Sequence, residues 1–136
     1  MKNLLLCLSL FLVSLNSFAQ GPLTGQFVIN KGDIEAKWGG EPILYEFTVK
    51  NSGTKPLQIL KVIGSCTCQD SDARNIQTIA PGKTGIIRVK VLLRKEILGD
   101  EVVNGILDYD KSVIIETNGK KPKYQLYTRA RIKIKS

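Results

Sequence analysis

Residues 43–63 read ILYEFTVKNSGTKPLQILKVI, and two runs of period two joined by a turn decide the fold. From Ile43 to Lys50 the residues Leu44, Glu46, Thr48 and Lys50 fall on one side and Tyr45, Phe47 and Val49 on the other. An apolar face backed by a more polar one at period two is the pattern of a half-buried strand. Asn51-Ser52-Gly53 supplies a turn. Beyond Pro56, the residues Leu57, Ile59, Lys61 and Ile63 alternate with Gln58, Leu60 and Val62, which predicts a second strand.

Gln26–Asn30 is predicted as a first strand, closed by a turn at Lys31-Gly32-Asp33, and Trp38-Gly39-Gly40-Glu41-Pro42 breaks the chain again. Downstream, Ala80-Pro81-Gly82-Lys83 turns into a strand over Gly85–Val91, and further strands are expected at Val113–Glu116 and Tyr124–Ile134, parted by Asn118–Pro122. Arg94–Lys111 reads as a hairpin or an irregular excursion. No segment after the leader carries a strong helical stripe. Short strands rich in Val, Ile, Tyr and Thr at spacings of about ten residues indicate an all-β sandwich or barrel.

The leader is set apart from that pattern. Met1-Lys2-Asn3 gives a positive start, Leu4–Leu15 is an uncharged apolar run, and Ser17-Phe18-Ala19 places small residues before a cut between Ala19 and Gln20. Residues 1–19 are therefore expected to be a helical signal peptide and residues 20–136 one domain, exported and soluble, in the periplasm or outside the cell. The run is shorter than the about 20 residues of a spanning helix, and no later stretch is apolar enough to cross a bilayer. Cys7 lies inside the run and would leave with it.

Charge adds a second constraint. The full chain carries 20 Lys and Arg against 12 Asp and Glu; without Lys2 the balance is 19 to 12, a net charge of +7. Such a balance favours anionic partners without selecting a fold. One ordered cluster stands out: Arg129, Arg131, Lys133 and Lys135 alternate with Ala130, Ile132 and Ile134. The cations either keep a terminal strand soluble and block edge-to-edge pairing, or form a basic patch for anionic lipid, polysaccharide or an acidic protein. Nucleic acid is not expected, because export removes the usual encounter and no recognition motif is present.

Chemistry centres on Cys66 and Cys68, the cysteines that remain after the leader. In an extended strand their Cα atoms would stand about 6.6 Å apart on one face, near the limit for a bridge; a bend would bring them closer, and Thr67 resists a bend that needs positive φ. Four readings stay open: a structural disulfide or buried thiols, a thiol-disulfide redox pair, a metal site made by two chains, each lending both thiolates, and no role at all. The chain has no His, and its one Met is Met1, so a monomeric metal site is disfavoured and no cofactor is expected.

Enzymatic readings are weaker. Without His the usual neutral-pH general base is missing, together with every His-dependent triad. Asp70 and Asp72 after the cysteines read as a solvated turn rather than an acid pair. Gly82-Lys83-Thr84-Gly85 lacks the spacing of a phosphate-binding loop. Trp38 is read as capping one end of the core, with an exposed binding ring as the alternative. Tyr124 and Tyr127, an odd number apart on one strand, should point to opposite faces.

The order of these motifs resembles the exported bacterial domain-of-unknown-function 1573 family, common in Bacteroidetes. Phe47-Thr48-Val49-Lys50-Asn51-Ser52-Gly53 followed by Pro56-Leu57-Gln58-Ile59 is similar to the family's Phe-x-x-x-Asn-x-Gly and Pro-Leu-x-Ile segment, and Ser65-Cys66-Thr67-Cys68 to its Ser-Cys-Gly-Cys. Ile79-Ala80-Pro81-Gly82 resembles its Pro-Gly turn, and Thr117-Asn118 its late strand end. Gly32-Asp33-Ile34 stands where the family's Asp-Phe-Gly-x-Ile begins, with Asn30 and Lys31 in place of the Asp and Phe. The resemblance implies an immunoglobulin-like sandwich of about seven to nine strands, of the major sperm protein and bacterial chaperone type, in the cell envelope. The expected function is a non-catalytic protein-interaction module acting through the loops around Gly64–Asn75 or an open sheet edge, with the redox pair and the metal-binding dimer as alternatives.

Overall fold

A computed structural model describes residues 21–136, so the leader, Cys7 and the Ala19/Gln20 cut lie outside the described residues. Ten strand segments follow in chain order: β1 Leu23–Gly25, β2 Val28–Lys37, β3 Ile43–Asn51, β4 Leu57–Gly64, β5 Gln69–Ser71, β6 Thr78–Ile79, β7 Thr84–Val91, β8 Val102–Val103, β9 Ile106–Thr117 and β10 Lys123–Lys135. One sheet has the order β1-β3-β7-β5; the other runs β2-β10-β9-β4-β6, with β8 paired to β9. Their apolar faces meet as a sandwich.

The alternation of β3 holds through its length: Tyr45, Phe47, Val49 and Asn51 are buried while Leu44, Glu46, Thr48 and Lys50 are exposed. Opposite them, β9 contributes Leu107, Tyr109, Val113 and Ile115 to the core, and β10 contributes Tyr124, Leu126, Ala130 and Ile132. Burying an aromatic or branched side chain of this kind stabilises by roughly 1.5–3 kcal/mol. Tyr124 is buried and Tyr127 half-buried, and Trp38 packs partly buried against the core.

Three expectations are corrected. Lys31-Gly32-Asp33 is not a turn: β2 runs through it, with Asn30 opposite Arg129 and Asp33 opposite Arg131, so one extra residue is taken up as a bulge. Gly32, at φ +68°, and the Asn30 side chain, which accepts its N–H at 2.9 Å, hold that bulge. A second bulge shifts β4, where Ile59 faces Thr117 and Lys61 faces Glu116. It reverses the predicted alternation after Ile59, so Val62 packs against the core and Ile63 is 45% exposed. Third, β10 is an interior strand between β2, which runs parallel to it, and antiparallel β9.

The stretch Arg94–Lys111 resolves into a short helix α1, Lys95–Leu98, a 3-10 turn Gly99–Glu101, and a hairpin of β8 and β9. Its two-residue loop, Asn104-Gly105, has φ of 51° and 75°, the conformation that Asn-Gly favours.

Candidate functional site

The two cysteines sit where the chain crosses from one sheet to the other, between β4 and β5. Ser65–Cys68 is a bend rather than strand, closed by Gln69 N–H donating to the Cys66 carbonyl at 3.0 Å. This brings the Cα atoms to 5.1 Å, with the sulfurs joined at 2.04 Å. Thr67 makes the bend without positive φ; among the described residues Asn104 is the non-glycine residue that has one. The two half-cystines differ in environment: Cys68 is fully buried, whereas Cys66 is half-buried. With both sulfurs in the bridge, a metal site shared by two chains would first require its reduction. No group of three or more His, Cys, Asp or Glu gathers among the described residues.

A buried polar network that the sequence reading missed underlies the bridge. Tyr109 Oη lies 3.9 Å from Cys68 Sγ and 3.4 Å from Thr128 Oγ1. The Thr128 hydroxyl donates to the Lys111 carbonyl at 2.9 Å and accepts from Gln69 Nε2 at 3.2 Å. Burial pushes the Tyr109 phenol up to about 12, against the lowering effect of the Thr128 and Gln69 hydrogen bonds. Burial likewise raises Tyr45, whose hydroxyl donates to the Arg129 carbonyl at 2.8 Å. The signal was available as Tyr109, Lys111 and Thr128 at inward positions of β9 and β10, but period two does not say which polar residues meet.

The segment Gly64–Asn75 is not a free end loop. Its β5 pairs with β7, and buried Asn75 continues the contact, its side chain accepting Arg88 N–H at 2.8 Å and donating to the Arg88 carbonyl at 2.7 Å. Asp72 accepts both the backbone N–H and the Nε of Arg74, and those bonds hold its carboxyl below the usual range. Asp70 is exposed on β5.

The cationic row lies on the outer face of β10. Arg129 Nε is 3.0 Å from Asp110 and Arg131 Nε 3.8 Å from Asp108. Lys135 Nζ is 2.7 Å from Glu35 and, with Lys133 nearby, lowers the Glu35 carboxyl below its ordinary range. Carboxylates of the flanking strands thus stand along the row. Arg131 and Lys133 join Asp33, Glu35 and Ile106 around a shallow depression of about 690 Å³ beside β2.

The edges of the two sheets are unequal. β6 has two residues and β1 and β5 three each, whereas β2 presents ten with pairing on one side.

Set against known proteins, residues 26–132 match the family model described as "Protein of unknown function (DUF1573)". A comparison with curated proteins finds no match. Among solved structures, a protein of unknown function from Porphyromonas gingivalis W83 aligns at TM-score 0.59 and 16% identity, over 83% of this chain and 46% of its own. The ASH/PapD-like domain 7 of human CEP192 aligns at TM-score 0.55 and 12% identity, over 85% of this chain and 86% of its own. The VesB protease of Vibrio cholerae aligns at TM-score 0.54 and 14% identity, over 82% of this chain and 32% of its own. The chain therefore spans less than half the length of the P. gingivalis protein and of VesB. At such identities the likeness is one of fold, an immunoglobulin-like sandwich of the PapD-like kind.

Proposed function

The chain belongs to the DUF1573 family, and from that premise we propose that it is a non-catalytic binding module of the bacterial cell envelope, exported under the leader that ends at Ala19, which takes a partner protein on the open edge of β2. The observation that carries this reading is the length of that edge: β2 has ten residues and β10 as its one neighbour, whereas the border strands β1, β5 and β6 have two or three. Beside it, Asp33, Glu35, Arg131 and Lys133 offer both signs of charge for side chains of an added strand. Lack of His supports a non-catalytic role, because a Ser-His-Asp triad has no base here.

The test is photocrosslinking in intact cells, with a crosslinking residue at Glu35 on the edge and at Thr48 on the far sheet. A discrete protein adduct from Glu35 alone supports the reading; equal adducts from both positions, or none, overturn it. The mass of the recovered protein reads the cut at Ala19 separately.

The unequal exposure of Cys66 and Cys68 favours one second reading, thiol-disulfide exchange with a protein dithiol. A partner thiolate attacks Cys66 Sγ, the Cys66–Cys68 bond breaks, and the electron pair leaves on Cys68 Sγ beside the Tyr109 hydroxyl. The partner's second thiol then displaces Cys66, leaving the partner oxidised and both cysteines reduced. Cys66→Ser with Cys68→Ser distinguishes the roles in a urea titration and an exchange assay. A structural bridge predicts a loss of about 1–2 kcal/mol, as a short closed loop gives; a redox bridge predicts unchanged stability and abolished exchange.

A further inference from the structure

Basic residues scattered along the sequence converge at one end of the sandwich. Lys50, Lys55, Lys83, Lys120, Lys121 and Lys123 are all exposed, and the ladders place them together. Lys50 faces Thr84 across β3 and β7, Asn51 N–H donates to the Lys83 carbonyl at 3.0 Å, and Asn51 Nδ2 to the Lys55 carbonyl at 2.7 Å. The β9–β10 loop closes on the same end: a Cβ on Gly119 would stand 3.0 Å from Leu57 Cδ1 and 3.7 Å from Pro22 Cγ. Between the loops lies a cleft of about 440 Å³ lined by Pro22, Lys55, Leu57, Asn118 and Lys120, among others. Among the described residues, Glu116 is the carboxylate on these loops and strand ends, 3.8 Å from Lys123. At the opposite end Glu35, Glu41, Glu96, Asp100 and Glu101 stand among Lys37, Arg94, Lys95 and Lys135.

We propose that this lysine-rich end rests on the anionic phospholipid headgroups of a membrane. Two features select a lipid surface over a small anion. The ammonium groups are spread over several exposed loops rather than buried around one point, which suits a diffuse plane of charge. The domain is also entered at this end: Gly21 packs against the Tyr124 hydroxyl, and the apolar run Leu4–Leu15 lies just upstream in the sequence. A chain held by that run during export has these lysines next to the headgroups. The proposal rests on the envelope reading, but its test in vitro fails independently of it.

The experiment is cosedimentation of the exported chain with vesicles of phosphatidylglycerol and phosphatidylcholine in equal parts, against pure phosphatidylcholine. The expected result is binding to the anionic vesicles alone, lost at high salt because exposed charges are screened. Each of Lys55→Gln, Lys83→Gln and Lys120→Gln weakens it about fivefold and the triple variant about a hundredfold, with the melting temperature unchanged. Arg131→Gln with Lys133→Gln leaves it within about twofold, because that pair sits on the sheet face, away from this end. Equal binding to neutral vesicles, no effect of the triple variant, or capture of polyglutamate without capture of vesicles overturns the proposal, the last in favour of an acidic protein.

Discussion

Asn51 is the side chain on which one end of the molecule turns. It is fully buried; its Nδ2 donates to the carbonyls of Lys55 and Ile79 at 2.7 and 2.8 Å, and its Oδ1 accepts Gly53 N–H at 3.0 Å. Its backbone joins in, accepting Gly82 N–H at 2.7 Å. Asn51→Ala strands two carbonyls and an N–H, and a loss of about 2–4 kcal/mol is expected, read as a lower urea midpoint at unchanged slope. Asn51→Asp restores the bond to Gly53 but sets a carboxylate against two carbonyls, and should be at least as harmful. The motif Asn51-Ser52-Gly53 was legible as a turn, because turn chemistry is local. That its asparagine also binds the Pro81-Gly82 turn was not, since 28 residues separate Asn51 from Ile79 and no periodic signal spans that gap.

Bulges decide where element-scale reading succeeds. β3 and β10 obey period two from end to end against β7 and β9, and their faces were legible, whereas β2 and β4 each take up one extra residue. A single inserted residue exchanges the two faces beyond it, and nothing in Leu57-Gln58-Ile59-Leu60-Lys61 marks the site. A direct comparison follows: Val62→Asp, on the core side, should cost about 2–3 kcal/mol, while Ile63→Asp should stay within about 0.5 kcal/mol. Thermal melting of the two variants checks the order, and the unbulged alternation predicts the reverse. The bridge-bearing bend was half legible. Spacing put Cys66 and Cys68 near bonding range, but that the first is half-exposed and the second buried depends on β9 and β10 passing beneath.

For the molecule as a whole, buried phenols set the alkaline limit. Tyr109 ordinarily ionises near 10 and in the fold near 12, and Tyr45 and Tyr124 shift in the same direction through burial. Below pH 10 both folded and unfolded chains keep the proton, so this contribution is complete. Between 10 and 12 the unfolded chain alone releases it, so stability falls as pH rises. The melting temperature should therefore drop beyond pH 10, with Tyr109 contributing on the order of 2 kcal/mol by pH 12, and Tyr109→Phe should show a shallower fall. The pairing of β2 with β10 matters in time as well as in space. Val28 lies opposite Tyr127, so the longest open-edge strand has no neighbour until β3 to β9 have all been made and β10 arrives. A chain delivered N-terminus first must keep that strand waiting through the passage of almost everything else, and closing so distant a contact is slow. A chain cut short before Tyr124 leaves β2 with no neighbour and β9 paired along one side only, both ready to take whatever strand is nearest.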